Sequence, residues 1–438
     1  MTRRVLLIGT GPLPGDDPEQ LGFPQLRTEH FRQQLESRYE LQLVLLQDED
    51  LPVATGVEAV KPSSAGWLER IRALREDFAP DVVVSAAPYE PARAAALTVG
   101  EEPLFVDVPG DPFAEAQAKA AHTGEADPSV HMRAAWLPAL SRGDAFGVIG
   151  PSQRAALLGQ LGLLGRLTGA SPELERVHVM PAAFDFGPLP RGAARTWDER
   201  CPRFVVALSG GYNTWLDADT LLDGLLLAMR QCPALHVVST GGAIPGHHSA
   251  TYEAFRAQAM ASPFGHRFTF HGWVPHSVLP RLLSSAHVGV PLDRPGIEAQ
   301  LGTRTRLLFF AHQGLTLLST VQCDLARELA GLRMLQPVGM TDPQSLCDGL
   351  VGLWEEGSDG SAARRAAQYL ESRVAPRQAL AGMLEFVEEP FRARVAPDRE
   401  AELARELARV KEELANVYST PAWKVTAGTR RVWDRFRK

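Results

Sequence analysis

A chain of 438 residues is longer than one ordinary domain and points to two, with a tail to spare. Its 45% apolar content is enough for a sizeable core, while a net charge of −7 excludes a general nucleic-acid binder, which needs a basic face to displace counterions from phosphates. Cys201, Cys232, Cys323 and Cys347 are scattered without CxxC spacing, so neither a disulfide framework nor a zinc site is indicated, and a reducing cytoplasm is the expected location.

The N-terminal MTRRVLLIGTGPLPG sets basic residues before an apolar run, but Val5 to Ile8 is too short for a signal peptide. No stretch reaches the ~18 uncharged apolar residues needed to span a bilayer. From Arg3 to about Glu355 short apolar runs alternate with amphipathic segments of helical length, the signature of a parallel sheet with helices on both faces. In the first half the expected strands are Val5 to Ile8, Leu41 to Leu46, Val82 to Ser85, Leu104 to Val106, Phe146 to Ile149 and Val177 to Met180. The loop after the first strand, Gly9 to Gly15, lacks the third glycine of a dinucleotide fingerprint and carries Pro12 and Pro14, which argues against NAD. In VDVPGDPFAEAQAK, Asp107 stands at a strand end, Asp111 in a Pro/Gly turn and Glu115 one helical turn further on. Carboxylates there suit acid/base work or hydroxyl recognition, and Asp111 before Pro112 reads equally as a helix N-cap. Ser152 reads as another cap, with Gln153 and Arg154 able to reach the same cleft, and His122 and His131 are candidate bases nearby.

Proline, glycine and charge from Phe184 to Arg200 mark a linker. The alternation restarts with strands at Phe204 to Leu208, His236 to Ser239, Phe268 to Phe270, Val288 to Val290 and Leu315 to Leu318, and a weaker one near Met334 to Leu335. Two doubly wound, Rossmann-like α/β domains facing across a cleft follow, over residues 1–190 and 201–375, with 376–396 returning as a helix to the first domain and 397–438 as a helical tail. Glycine-rich loops gather at the strand ends of the second domain: Gly210, Gly211, Asn213 and Thr214, then Gly241 and Gly242, then Gly272 and Trp273. Each is either a plain turn or a place where backbone amides approach an anion. The adjacent His247 and His248 read as surface residues.

The stretch Asp293 to Thr320 reads as a loop, one apolar helix closed by Gly314, and a buried strand. Thr303, Arg304 and Arg306 fall in the first turns of that helix, where free N–H groups and the helix dipole favour an anion, so they form a candidate diphosphate cradle, with Glu298 free to accept hydroxyl hydrogen bonds.

In the tail, Leu403, Leu407, Val410, Leu414 and Val417 form a heptad stripe too short for a lasting coiled coil. After Pro421 the composition turns basic, with Thr429, Val432, Trp433 and Phe436 on one face of a short helix, the pattern of a segment lying on an anionic membrane surface.

The order SGGYNTW, STGG, FHGWVP, E-A-x-LGTRTRLL and AHQGLTLLST resembles the nucleotide-binding domain of bacterial GT-B glycosyltransferases of the retaining, family 4 type. GDPFAEAQ and GPSQRAALLGQLGLLGR resemble the first domain of such enzymes, so the resemblance runs from Arg3 to about Pro390. It implies a nucleotide-sugar donor in the second domain, a glycan or lipid-linked acceptor in the first, anomeric retention, and a role in cell-surface polysaccharide or glycan synthesis. Glu298 matches the first member of the family's acidic pair, whereas Arg306 stands where the second is expected, Phe309 is another position often acidic, and the usual Arg and Lys after the first strand are replaced near Asn213, Thr214 and Trp215. The catalytic candidates are therefore Glu298, Asp111 and Asp107; the donor-binding candidates are Gly210, Gly211, Asn213, Thr214, Gly241, Gly242, Trp273, Thr303, Arg304 and Arg306. No carboxylate cluster for magnesium is present in these motifs, so no metal or cofactor is expected, the arginines and helix N–H groups stabilising the departing diphosphate. A non-catalytic GT-B descendant that binds nucleotide sugar or glycan, and a nucleotide-sugar epimerase, are the alternatives.

Overall fold

The computed structural model describes residues 2–16, 21–48, 56–87, 89–124, 129–167, 177–185, 195–198, 200–244, 249–393, 408–414 and 416. A seven-stranded and a six-stranded sheet organise the body of the chain. The first contains β1 (Arg4–Thr10), β2 (Glu40–Leu46), β3 (Val57–Val60), β4 (Val82–Ser85), β5 (Leu104–Val108), β6 (Ala145–Val148) and β7 (Val177–Val179) in the order β3-β2-β1-β4-β5-β6-β7. The second contains β8 (Phe204–Leu208), β9 (Leu235–Thr240), β10 (Phe268–Gly272), β11 (Val288–Gly289), β12 (Thr316–Thr320) and β13 (Leu335–Val338) in the order β10-β9-β8-β11-β12-β13. Pairings in both are parallel, for example Val5 with Leu41 and Val205 with His236. Parallel strands are covered on both faces by their crossover helices, so they need continuous apolar runs, and Val5, Leu6, Leu7 and Ile8 are indeed 0% exposed. Each sheet reverses its winding beside its first strand, between β1 and β4 and between β8 and β11, which opens a crevice at the strands' carboxyl ends. This is a pair of Rossmann-like folds.

Each strand expected from the apolar runs is present within a few residues, and β3, at the edge of the first sheet, is an addition. The single helix expected before β12 is corrected: it is two, Ile297–Leu301 and Thr305–His312, broken at Gly302. A Cβ at Gly302 would stand 2.6 Å from Glu298 Oε1 and 2.7 Å from Arg304 Nη1, so the break is shaped by side chains that fold back over it. The linker expected at Phe184 to Arg200 falls in large part outside the described residues.

After the second sheet the chain crosses back. Helix Ala381–Glu388 buries Met383, Phe386 and Val387 among Val5, Leu7 and Phe105 of the first sheet, with the Phe105 and Phe386 rings 5.6 Å apart. The two halves are also joined by a helix cap. Helix Pro151–Leu163 of the first half begins against Asp324 of the second, whose carboxylate accepts from the Ser152 N–H at 2.9 Å and the Ser152 hydroxyl at 2.8 Å. Gln153 does not reach the cleft: it is 1% exposed, its amide nitrogen donates to the Val108 and Gly110 carbonyls, and its oxygen accepts from Ile149 N–H.

Residues 408–414 are helical, with Arg409 and Glu413 paired at 3.6 Å across one turn, and Val410 and Leu414 exposed. The basic segment read as membrane-binding lies outside the described residues. Among the described residues no helix is long and apolar enough to cross a membrane.

Removing the shared cap leaves the first N–H groups of helix Pro151–Leu163 without their carboxylate. Asp324→Ala should lower the unfolding free energy by about 0.5–2 kcal/mol in urea denaturation, and Asp324→Asn, which keeps an accepting oxygen, by less.

Candidate functional site

At the carboxyl ends of β8, β9 and β10, the turns holding Ser209 and Gly210, Thr240 and Gly241, and Trp273 and Val274 meet the N-terminus of helix Thr305–His312. Leu21, Phe23 and Leu26 of the first half form the opposite wall, and the half-open cavity measures about 130 Å³. Two glycines are required by geometry. Gly210 has φ +89° and a Cβ there would come 3.1 Å from Arg306 Nε; Gly241 has φ +84° and a Cβ would strike the Gly210 carbonyl at 2.3 Å. Trp273 is held edge-on by its Nε1–H, which donates to the Ala243 carbonyl at 2.6 Å. The wall is mostly apolar, with Ser209, Thr240, His276 and Thr305 as its polar side chains and Arg306 as its guanidinium.

Arg306 donates to the Gly211 carbonyl, and among the described residues no carboxylate lies within ion-pair distance of it. Burial lowers its pKa, with Asp293 opposing, yet a guanidinium stays charged at neutral pH. Arg304, two residues earlier, is fully engaged. Its Nε donates to Asp293 Oδ2 at 2.6 Å, and its Nη1 and Nη2 to the two oxygens of Glu298 at 3.1 and 2.7 Å. All three side chains are 7% exposed or less. Reading Arg304 as a diphosphate cation is thus corrected: its charge is matched by two buried acids, and its Nη1 also donates to the Thr303 carbonyl at 3.1 Å. Glu298 is likewise not free but held in a two-pronged ion pair; burial raises its pKa and Arg304 opposes the rise.

The first-half acids divide. Asp107 is 0% exposed and accepts from Arg27 Nε at 3.0 Å and Nη2 at 2.8 Å, a sealed ion pair that no substrate can reach, so its catalytic reading is corrected to a structural one. Asp111 caps helix Pro112–Thr123: Oδ1 accepts from the Phe113 and Ala114 N–H groups and Oδ2 from Gln160 at 2.6 Å. With both oxygens occupied, the cap accounts for it and an acid/base role does not. Glu115, one turn on, accepts from the Tyr89 hydroxyl and is electrostatically coupled to Glu298, Asp111 and Arg304. Burial, reinforced by Glu298 and Asp111, pushes its pKa to about 7. Tyr89 has φ +65°, a strained value for a residue with a side chain, and strain of this kind gathers at working sites.

No protein-family model matches the chain, and no curated protein matches it significantly. Solved structures do. HepE of Anabaena, in complex with UDP and glucose, superimposes with a TM-score of 0.62 at 13% identity over 88% of this chain and 99% of that one. Sucrose-phosphate synthase of Thermosynechococcus elongatus gives 0.60 at 12% identity over 88% and 98%. The trehalose-6-phosphate synthase OtsA gives 0.61 at 11% identity over 89% and 100%. The chain has the GT-B fold.

Within the GT-B frame the expected donor residues separate by place. Gly210, Gly241, Trp273 and Arg306 line the cavity, and Gly211 contacts Arg306 through its carbonyl. Gly242 packs on the Tyr252 ring instead. Thr214 lines a different cavity, and Asn213 Oδ1 is buried without a hydrogen-bond partner among the described residues. Thr303 borders a third cavity with Gly150 and Asp324. His122 reaches across to Thr251 Oγ1 at 3.1 Å, whereas the His131 side chain, His247 and His248 lie outside the described residues. Tyr89 carries no motif that would reveal it; only its contact with Glu115 does.

Two outcomes follow. Arg304→Ala strands two buried carboxylates, so it should destabilise the fold by about 3–5 kcal/mol in chemical denaturation instead of acting selectively on anion binding. Because the folded pKa of Glu115 is raised from 4.5 to about 7, its neutral form is favoured by folding; that contribution is complete below pH ~4.5 and lost as pH rises through about 7. Wild type should therefore lose up to about 3 kcal/mol over this window relative to Glu115→Gln, measured by urea titrations at stepped pH.

Proposed function

We propose that the chain is a glycosyltransferase moving a sugar from a nucleoside-diphosphate donor, held in the second half, to a glycan or lipid-linked acceptor presented by the first. The observation that carries this reading is Arg306: an unpaired, half-buried guanidinium at a helix N-terminus, beside two positive-φ glycines, at the switch point of a GT-B domain. Backbone N–H groups and one cation aimed at the same space make an anion site. The neighbouring apolar wall, with the edge-anchored Trp273, suits a nucleobase and ribose. HepE of Anabaena was solved with UDP and with UDP-glucose, which supports the same ligand class here.

In transfer, the bond from the anomeric carbon to the diphosphate oxygen breaks while the acceptor hydroxyl bonds to that carbon and passes its proton to the departing diphosphate oxygen. Negative charge grows on the diphosphate. Arg306 and the N–H groups of helix Thr305–His312 stand where that charge develops and need no reorganisation to meet it. On this reading no metal is required, and the anomeric configuration is retained. Glu298 keeps a role: a carboxylate offers about four acceptor positions, and Arg304 occupies two, so the oriented oxygens can still take donor-sugar hydroxyls.

At about 130 Å³ the cavity is below the ~300–1,000 Å³ of sites that hold a full-sized ligand, so the halves must part to admit a nucleotide sugar and close again to exclude water. The basic tail, if it docks on an anionic membrane surface, would bring the cleft to a lipid-linked acceptor in cell-surface glycan synthesis.

Charge-assisted hydrogen bonds contribute about 1.5–3 kcal/mol, so Arg306→Ala should weaken nucleoside-diphosphate binding by roughly 10- to 150-fold in calorimetry while leaving nucleoside binding almost unchanged. Equal losses for both ligands would remove Arg306 from the diphosphate. Nucleotide-sugar binding without slow donor hydrolysis or transfer to any acceptor would favour a non-catalytic binder.

A further inference from the structure

Phe309 follows Arg306 by three residues on helix Thr305–His312, so the two side chains share a face, and both line the cavity at the carboxyl ends of β8 and β9. One turn of helix advances about 5.4 Å, which is the scale of the step from a diphosphate to the pentose of its nucleoside. With the diphosphate on Arg306, the pentose meets carbon. Phe309 is half-buried, its ring 6.1 Å from that of Phe310, and Phe23 and Phe184 pack on the same core cluster. Among the described residues that line this cavity none is an aspartate or a glutamate. Asp293 and Glu298, whose charges reach Arg306, are already bonded to Arg304. Of the lining hydroxyls, Thr240 donates to Ser209 at 3.0 Å, so that pair is partly satisfied within itself.

Such a wall sorts nucleosides by their hydroxyls. A ribose presents vicinal 2′ and 3′ hydroxyls, two donors that need acceptors once water has left, and a buried O–H without a partner weakens binding. A 2′-deoxyribose presents one, which the Thr305 hydroxyl in the cavity wall can accept. Where the 2′-hydroxyl would stand it has a CH₂ group, which suits the face of an aromatic ring. The base is sorted in the same way. Val274 and Leu279 extend the apolar surface beyond the indole of Trp273, and thymine adds to it a 5-methyl group that uracil lacks.

We propose that the donor is a sugar carried on 2′-deoxythymidine diphosphate (dTDP), and that Phe309 sets this specificity by refusing the ribose 2′-hydroxyl a hydrogen-bond partner. The assignment rests on the glycosyltransferase reading above and narrows its donor. The cavity wall takes a nucleobase and a pentose in general; Phe309 decides which pentose.

The full chain is titrated by calorimetry with dTDP, dUDP, ribothymidine diphosphate, UDP, ADP and GDP, and dTDP should bind most tightly. Ribothymidine diphosphate differs from dTDP only by the 2′-hydroxyl and should bind roughly 5- to 100-fold more weakly. The nucleotide dUDP lacks only the methyl group and should bind about fourfold more weakly than dTDP. Phe309→Asp supplies an acceptor for the 2′-hydroxyl, so it should move the ratio of ribothymidine diphosphate to dTDP affinity by roughly tenfold or more toward the ribonucleotide. Taking the ratio cancels any effect of the new charge on the diphosphate, which both ligands share. Phe309→Leu, which stays apolar, should keep the wild-type order, and a cooperative thermal melt shows that each variant is folded. UDP, ADP or GDP binding as tightly as dTDP overturns the proposal and leaves the transferase reading standing. A 2′-deoxy preference that Phe309→Asp leaves unchanged overturns the assignment to Phe309. A folded wild type that binds none of these nucleotides overturns the transferase reading itself.

Discussion

The second half of the molecule depends on burying Arg304 between Asp293 and Glu298. Removing three charges from water is costly, and only close, multiply hydrogen-bonded geometry offsets it. The geometry here is of that kind: one guanidinium uses its Nε on Asp293 and its two terminal nitrogens on Glu298. To satisfy both acids the backbone must turn between Leu301 and Thr305, which is why the helix breaks at Gly302, a position with no room for a side chain. The break sets where the next helix starts. Its N-terminus, with Arg306 on its first turn, is thereby delivered to the carboxyl ends of β8 and β9.

The first half contains a comparable pair with a different outcome. Arg27 and Asp107 are both sealed at 0% exposure, one charge matched by one, with the spare Arg27 nitrogen donating to the Pro181 carbonyl at 2.8 Å. Nothing is left over for a ligand. Around Arg304 there are two acids for one base, so Glu298 keeps acceptor capacity after its pairing is complete. Glu115 adds to this excess of carboxylates from across the cleft, and desolvation there holds it largely neutral below pH about 7.

How legible this was from sequence follows from which forces are local. The strands were readable because parallel strands covered on both faces must be apolar throughout, as VLLI and FVVAL are, and the repeated alternation with helices settled a doubly wound architecture. β3 escaped because Val57–Val60 contains Glu58 and sits at an edge, where the burial that makes a strand recognisable is partial. The glycine-rich turns were visible as turns, but not that Gly241 takes a left-handed backbone against the Gly210 carbonyl while Gly242 lies against the Tyr252 ring. The division between Arg304 and Arg306 could not be read at all. Two arginines in TRTR are chemically identical in sequence, and only the positions of Asp293, Glu298 and Gly211 decide which one is paired internally and which is left for a ligand. Asp107, Asp111 and Glu115 pose the same difficulty: three acids within nine positions become an ion-pair partner, a helix cap and a perturbed acid because Arg27, Gln160 and Tyr89 reach them from elsewhere.

The departures from the expected family pattern have a common physical origin. The loop after β8 carries Asn213, Thr214 and Trp215 near where the resembled family has its Arg and Lys, and Arg306 stands where that family's second acid is expected. Taken one at a time, each change removes a donor contact. Taken together they exchange roles across a short gap, since a Cβ at Gly210 would stand only 3.1 Å from Arg306 Nε, and the Gly211 carbonyl accepts from the same guanidinium. A side chain at Gly210 would press on the Arg306 guanidinium and would need a left-handed backbone besides. Gly210 thus leaves the Arg306 guanidinium its room, and Gly211 supplies the carbonyl that orients it.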